Sequence, residues 1–392
     1  MSEYQKITPI ANQILKDHEL CYHCLGRLFS KQLGLSSNKI LGQKLKKNFK
    51  SSQKCFICKD LFDNLNYFLK MMIDSTSDYS YCTFSVGTTV KPSIVDRDDY
   101  IRSHYKLMGV DSVKTDITKE LGKSFSKKTK KILDFLDPEI NLIINFKNES
   151  CELYSKSITF SGRYVKTLRG ISQKQKSCIN CNGRGCKTCL FHGISEFDSV
   201  EGIISQYIFK KFGGTTTKFT WIGGEDNSSL VLGDGRPFFV KLQHPNKRKS
   251  RLTSTNLNSV KLKNLKIINK FPKKPISFSS SVKIKISSKT TLDTHYLRKL
   301  KNMCNAPVMV YEKSGKCFEK QIFSLNYKKI SSHIFSFLPF FIRRSCLTIC
   351  RMATQKTKPT IGSIAPIGIL SGFKAIRRKF SNGDNSILYI LN

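Results

Sequence analysis

Acidic residues are scarce in this chain: 28 Asp and Glu stand against 67 Lys and Arg in 392 residues, a formal net charge of +39. A field of that size and sign attracts a polyanion. Downstream of Asp226 the deficit deepens, the acids there being Asp234, Asp293, Glu312, Glu319 and Asp384. Long apolar runs are missing as well. No segment approaches the roughly 20 apolar residues of a transmembrane helix, and the run from Ile334 to Ile342, broken by Ser336 and Pro339, reads as buried core. An anionic membrane surface is thereby disfavoured against nucleic acid as the partner. Cofactor signatures are absent too: no G-x-x-x-x-G-K-[ST] loop, no G-x-G-x-x-G after a strand and no H-E-x-x-H. Chemistry in this chain is therefore cofactor-free or metal-assisted, without a redox or nucleotide cofactor.

Cysteine, by contrast, is plentiful and ordered. Eight of the 14 fall into four C-x-x-C pairs, and Cys178-Ile-Asn-Cys181-Asn-Gly-Arg-Gly-Cys186-Lys-Thr-Cys189 packs two pairs into one knuckle. Two residues between cysteines make a tight turn that aims both sulfurs at one ion, which suits tetrahedral thiolate zinc. Cys21, Cys24, Cys55 and Cys58 form a second tetrad if the fold unites them. The other reading is a reduced chain whose cysteines are small core residues. Disulfides are not expected, since a chain this long buries a core without staples and shows no secretory signal.

Apolar periodicity places the motifs. Ile7, Ile10, Ile14 and Leu15 recur at helical spacing between Glu3 and Leu20, so a helix delivers the first cysteine pair. Residues 64–166 mix helical patterns with short strands such as Leu142–Phe146 and Ser157–Phe160, an α/β module. Asp198–Phe212 reads as a helix with Val200, Ile203, Ile204, Tyr207 and Ile208 on one face. Strands are expected at Phe219–Ile222, Leu230–Leu232, Phe238–Leu242 and Val282–Ile286, and Pro245–Lys274 as a loop or basic helix. Within it, Lys247, Arg248 and Lys249 are candidate phosphate contacts.

The segment Trp221-Ile-Gly-Gly-Glu225-Asp226, continuing to Gly233-Asp-Gly235-Arg236-Pro-Phe238, sets two carboxylates in a glycine loop between strands, with an arginine following. Alone it is an ordinary turn. Its place in an ordered series changes that reading. Cys21-Tyr-His-Cys24-Leu-Gly-Arg27 comes first, then Gly162-Arg-Tyr-Val-Lys166 with Arg169-Gly-Ile-Ser-Gln173, then the Cys178–Cys189 knuckle and Ser199-Val-Glu-Gly-Ile203. Over residues 20–250 this order resembles the archaeal and eukaryotic tRNA pseudouridine synthases called Pus Ten.

The resemblance implies a mixed α/β (α+β) protein with an N-terminal zinc-bearing THUMP-type RNA-binding region at residues 1–170. A zinc-knuckle linker at 171–195 and a pseudouridine synthase domain with a mixed or antiparallel sheet at 196–392 follow. It implies tRNA as partner, uridines 54 and 55 of the T arm as targets, structural zinc, and Asp226 as the catalytic carboxylate. A cytoplasmic monomer is expected. The family's arginine before Glu-Asp is Gly224 here, so Arg236 is the nearest candidate to orient the carboxylate and contact substrate. Tyr296 is carried as a substrate contact against the plainer reading of a helix residue packing near Leu297 and Leu300. The family's C-terminal G-T-Y-x-K-E-F motif has no counterpart in Arg343–Arg351. A non-catalytic zinc-knuckle RNA-binding protein is the rival reading. A THUMP-bearing methyltransferase or thiolation enzyme is disfavoured by the missing cofactor motif.

Overall fold

The computed structural model describes residues 3–30, 33–34, 37–47, 53–108 and 110–269. Beyond these it describes 271, 277–281, 283–287, 291, 293–299, 301, 304, 308–311, 317–320, 322–344, 373–375 and 389–391. The chain divides into two units. The first comprises Met1–Ile158 with Phe209–Thr215 and Leu242–Ser250, and the second Thr159–Ile208, Thr216–Lys241 and Arg251–Asn392.

Among the described residues, the first unit holds helices α1 (Glu3–Asp17), α2 (Tyr22–Ser30), α3 (Asn38–Leu45), α4 (Leu65–Ser75), α5 (Pro92–His104) and α6 (Val113–Thr129). Four strands, β1 (Thr83–Thr89), β2 (Ile132–Leu133), β3 (Ile140–Asn145) and β4 (Ser150–Ser155), form a sheet in the order β2-β1-β3-β4. β1 runs parallel to β2 and β3, and β4 antiparallel to β3. Strand alternation buries Phe84 and Val86 of β1 with Ile140, Leu142 and Ile144 of β3. Helical spacing of four buries Ile117, Leu121 and Phe125 of α6, and Phe84 meets Phe125 edge-on at 4.8 Å. The Ser112 hydroxyl opens α6 by accepting the Thr115 N–H at 3.2 Å. Arg27 of α2, fully buried, is paired with the equally buried Asp98 of α5 and donates to the Asp111 carbonyl at 2.6 Å.

α2 and α3 touch backbone to backbone. A methyl at Gly26 would strike the Asn38 carbonyl, and one at Gly42 the Tyr22 carbonyl. These two glycines let the segment carrying Cys21 and Cys24 lie flat on α3.

Apart from the last turn of α7 and the end residues Ile158 and Leu242, the second unit contains α7 (Val200–Phe212) and a sheet of β5 (Ile158–Lys166), β6 (Thr217–Trp221), β7 (Val231–Leu242), β8 (Thr255–Leu257) and β9 (Val260–Ile268), in the order β6-β7-β5-β9-β8. β5 is its central strand, antiparallel to β9. Phe160, Tyr164, Phe238, Val240, Val260 and Leu262 are buried, as are Val200, Ile204 and Ile208 of α7. The Ser205 hydroxyl of α7 lies 2.8 Å from that of Thr217 of β6.

Two expectations are corrected. Within the stretch expected as loop or basic helix, residues 245–254 are loop, but residues 255–268 are not, because β8 and β9 pair there. Val260 and Leu262 alternate inward, and Asn264 at φ 52° carries a bulge opposite Gly162 that brings Leu265 inward in turn. The two strands expected between residues 230 and 242 are one, β7, which passes through Gly233 and Gly235 at φ 63° and 79°.

Further on, β10 (Ser277–Ser281), β11 (Ile284–Ser287) and β14 (Ile322–Lys329) each pair antiparallel with β15 (Ile334–Arg344). The apolar run expected as core is thus strand β15. Helix α8 (Thr294–Lys299) and the hairpin β12 (Val308–Tyr311)–β13 (Cys317–Lys320) lie between them in sequence. The Tyr296 side chain and residues 345–351 lie outside the described residues. No described helix is long and apolar enough to cross a membrane.

Gly42→Ala should cost about 3 kcal/mol of stability, because only backbone movement relieves its clash. Urea unfolding followed by circular dichroism checks this; a midpoint equal to wild type would show that α2 and α3 have room to part.

Candidate functional site

The carboxylate loop joins β6 to β7, and a segment leaving β5 clamps it. Gln173 gives both ends of its amide: Nε2 donates to the Tyr164 hydroxyl at 3.0 Å and the Gly223 carbonyl at 3.3 Å, while Oε1 accepts the Glu225 N–H at 3.3 Å. The Gly170 N–H donates to the Asn227 carbonyl at 2.8 Å, and Arg169 donates to the Ser228 carbonyl. Lys166, with none of its side chain exposed, donates from Nζ to the carbonyls of Ile171 at 2.9 Å and Asp226 at 3.2 Å. The loop is thus held along its length by one neighbouring segment.

Its two carboxylates meet different partners. Glu225 turns inward: its side chain is 1% exposed, with Oε1 3.2 Å from Lys166 Nζ and Oε2 3.5 Å from Arg236 Nε. Neither oxygen receives a hydrogen bond of good geometry among the described residues, so charge attraction holds it. Burial first, and the Glu225 charge next, push the Tyr164 phenol far above its ordinary range, so this buried tyrosine stays neutral. Asp226 is only partly buried. Its Oδ1 accepts the Ser228 N–H at 3.1 Å and the Ser228 hydroxyl at 3.3 Å, fixing the carboxylate rotamer at the loop rim.

Arg236 therefore meets Glu225, and it also donates to the Gly224 carbonyl at 3.2 Å. Its aim is set by Arg163, which holds the preceding residues of β7 through the Asp234 and Gly235 carbonyls at 2.9 and 2.8 Å. Tyr296 lies in α8. Arg248, expected among the phosphate contacts, is spent inside the first unit: its guanidinium donates to the Glu139 carbonyl, the Ser155 hydroxyl and the Lys156 carbonyl at 2.6 to 3.0 Å. Sequence reasoning quoted Lys166, Tyr164 and Gln173 without giving them a role. The available signal was a lysine and an aromatic on the same face of a strand that otherwise alternates apolar residues.

Both cysteine tetrads come together. Cys21, Cys24, Cys55 and Cys58 form one and Cys178, Cys181, Cys186 and Cys189 the other, each with all sulfurs within 4.8 Å of one another. Four sulfurs about 2.3 Å from a tetrahedral centre lie about 3.8 Å apart. The Cys21–Cys58 separation is 3.6 Å, and in the knuckle the pairs 178–186, 181–189 and 186–189 stand at 4.0, 3.8 and 3.7 Å. Backbone N–H groups reach the sulfurs, from Cys24 to Cys21 at 3.4 Å and from Gly185 to Cys181 and Gly193 to Cys189 at 3.2 Å. Such donors stabilise thiolate. Burial first, and Cys21 next, push the Cys24 thiol well up, while hydrogen bonds from Cys21 first, then Cys24 and Cys58, hold the Cys55 thiol down. The donor set therefore fits a tetrahedral metal.

The family model described as Pus10 THUMP domain, archaeal, matches residues 68–145, and that described as Pus10, C-terminal, matches residues 160–306. The chain is 65% identical over 365 residues to the tRNA pseudouridine synthase Pus10 of Nitrosopumilus maritimus (strain SCM1), covering 93% of this chain and 95% of that protein. It is 32% identical over 299 residues to the protein of that name from Cenarchaeum symbiosum (strain A), covering 76% and 74%. A third, from Pyrococcus furiosus, is 31% identical over 250 residues, covering 62% and 60%.

Lys166→Met leaves Glu225 buried against Arg236 alone, and should cost about 3–5 kcal/mol. Lys166→Met with Glu225→Gln should recover part of that loss, since no buried charge is then stranded. Denaturant unfolding of both variants is the check, and equal instability in the two would contradict the ion-pair account.

Proposed function

The chain belongs to the Pus10 family, and we propose that it is a tRNA pseudouridine synthase, isomerising uridine 54, uridine 55 or both in the T arm. The observation that carries the choice of residue is the division of labour in the loop. Glu225 is buried between the Lys166 ammonium and the Arg236 guanidinium, whereas Asp226 is only partly buried, with one oxygen pinned by Ser228. Asp226 is the catalytic carboxylate in this reading.

The reaction breaks the bond from N1 of uracil to C1′ of ribose, turns the base, and forms a bond from C5 to C1′. A proton leaves C5 and one is gained at N1, so no external oxidant or reductant is required. A carboxylate serves either by attacking the sugar or by assisting loss of its proton, with the freed base kept in a closed pocket. The target must first be flipped from the T loop, which a basic surface and a stacking aromatic favour. Lys166, Tyr164 and Gln173 act as positioning residues, holding the backbone from Gly223 to Asp226. Arg236 works in the same way through Glu225 and Gly224. A substrate contact by Tyr296 remains part of the proposal.

Asp226→Asn keeps the size and most hydrogen bonding of the side chain while removing its charge. Pseudouridine formation on an unmodified tRNA transcript, mapped by carbodiimide chemistry, should fall below detection with tRNA affinity close to wild type. Glu225→Gln should retain turnover, because Lys166 keeps two carbonyl acceptors. Substantial activity in Asp226→Asn would remove this loop from the active site, and binding without any turnover in the wild type would favour the non-catalytic reading.

Zinc is the metal we assign to both tetrads, as a structural ion with no part in the chemical step. Elemental analysis of the purified chain should find about two zinc ions per molecule. Cys181→Ser should lower stability more than it lowers the single-turnover rate. Native protein with eight freely titratable thiols and no metal would overturn the assignment.

A further inference from the structure

The Cys178–Cys189 knuckle carries side chains that its own fold does not use. Ile179 is 91% exposed, Leu190 74% and Phe191 53%. Leu190 and Phe191 also occupy consecutive left-handed conformations, at φ 50° and 61°. Large residues avoid that region, and strain of this kind collects at functional surfaces where the surrounding structure imposes it.

The imposition is visible here. The N–H groups of Leu190, Phe191 and His192 donate to the carbonyls of Lys187, Cys186 and Cys189 at 3.1, 2.8 and 2.9 Å. Gly185 is bare of a side chain where the Phe191 carbonyl passes, since a Cβ there would lie 2.7 Å from that oxygen. The backbone is thus fixed while three apolar side chains stand in water.

Charge selects the occupant. From Ile171 to Ser195 the charged residues are Lys174, Lys176, Arg184 and Lys187, with no acid among them. Apolar side chains set among cations on a rigid frame match single-stranded RNA, whose bases offer faces to stack and whose phosphates offer negative charge. Paired bases hide those faces.

We propose that the knuckle is an RNA-binding surface for unpaired nucleotides of the tRNA substrate, with Ile179, Leu190 and Phe191 contacting the bases and Arg184 and Lys187 the phosphates. This rests on the reading of tRNA as substrate.

The test uses the full chain and the triple variant Ile179→Ser, Leu190→Gly, Phe191→Gly, with Phe191→Gly alone as a milder companion. Glycine accepts the left-handed conformation without strain, so the melting temperature should hold or rise. Kd for an unmodified tRNA transcript should increase roughly five-fold or more in the triple variant, while Kd for a fully paired RNA of equal phosphate count stays unchanged. In the wild type, 4-thiouridine in the transcript should crosslink to a peptide spanning residues 177–192. Unchanged tRNA affinity with crosslinks elsewhere would overturn the proposal. So would equal loss on paired RNA, a marked fall in melting temperature in both variants, or a wild-type dimer in light scattering that the variant abolishes. A wild-type chain that neither binds nor modifies tRNA would instead defeat the functional reading; a wild type that modifies tRNA, beside a variant that binds as tightly, defeats the knuckle assignment alone.

Discussion

Glu225 has almost no water with which to share its charge, and the second unit's site is arranged around that fact. With 1% of its side chain exposed, it is tolerable only beside cations, and Lys166 and Arg236 supply them from two adjacent strands of one sheet. Taking such groups out of water costs several kcal/mol per ion, so the pair contributes geometry more than net stability. What it secures is register. Lys166 at the end of β5, the loop before β7, and Arg236 within β7 must meet at one point, and the Asp226 carbonyl is bonded to the same ammonium. The aspartate's backbone is therefore held by the same ammonium that neutralises its neighbour.

A net charge of +39 makes the surroundings of these carboxylates unusual. Cations repel one another across the surface unless a polyanion arrives, and compactness suffers in its absence. Local ties of high strength offset this. In the first unit, Arg27 with Asp98 and the first cysteine tetrad join α2 to α5 and to the segment around Cys55. In the second, the knuckle closes a stretch with little apolar burial of its own. Arg248 shows how some of the positive charge is consumed internally, by backbone carbonyls, leaving less for phosphates than a count of basic residues suggests.

Much of this was legible in the sequence, because cysteine spacing and helical periodicity are local signals. C-x-x-C named both tetrads, although their assembly from residues 21–24 and 55–58 required the fold. α1, α7, β3 and the carboxylate loop lie close to where apolar patterning puts them. β9 escaped because Asn264 breaks its alternation: a bulge shifts the phase by one residue, and Leu265 then looks out of step. The first residues of β5 read as a strand, yet the strand runs on to Lys166 and its partners β7 and β9 follow it by dozens of residues, and no local pattern reveals long-range pairing. Proximity in sequence pointed to Arg236 as the residue to orient the carboxylate; in the fold it lies 3.5 Å from Glu225, an inward arginine in a strand reaching the inward carboxylate.

The glycine at 224 illustrates the same logic. In the related motif an arginine stands before Glu-Asp, and its absence would matter greatly if it packed into the sheet. In this chain a Cβ at Gly224 would meet nothing within 4 Å. A side chain there points into open space, so losing it removes no packing and strands no partner. The inward carboxylate already has Lys166 and Arg236, while the carbonyl of Gly224 itself accepts from Arg236. A positive charge contributed from β7, a regular strand tied to β5 by Arg163, is better fixed than one on an exposed glycine-rich turn. The loop therefore keeps its shape without the arginine, because the Lys166 ammonium holds the Asp226 carbonyl behind it and the Ser228 turn holds the carboxylate ahead of it.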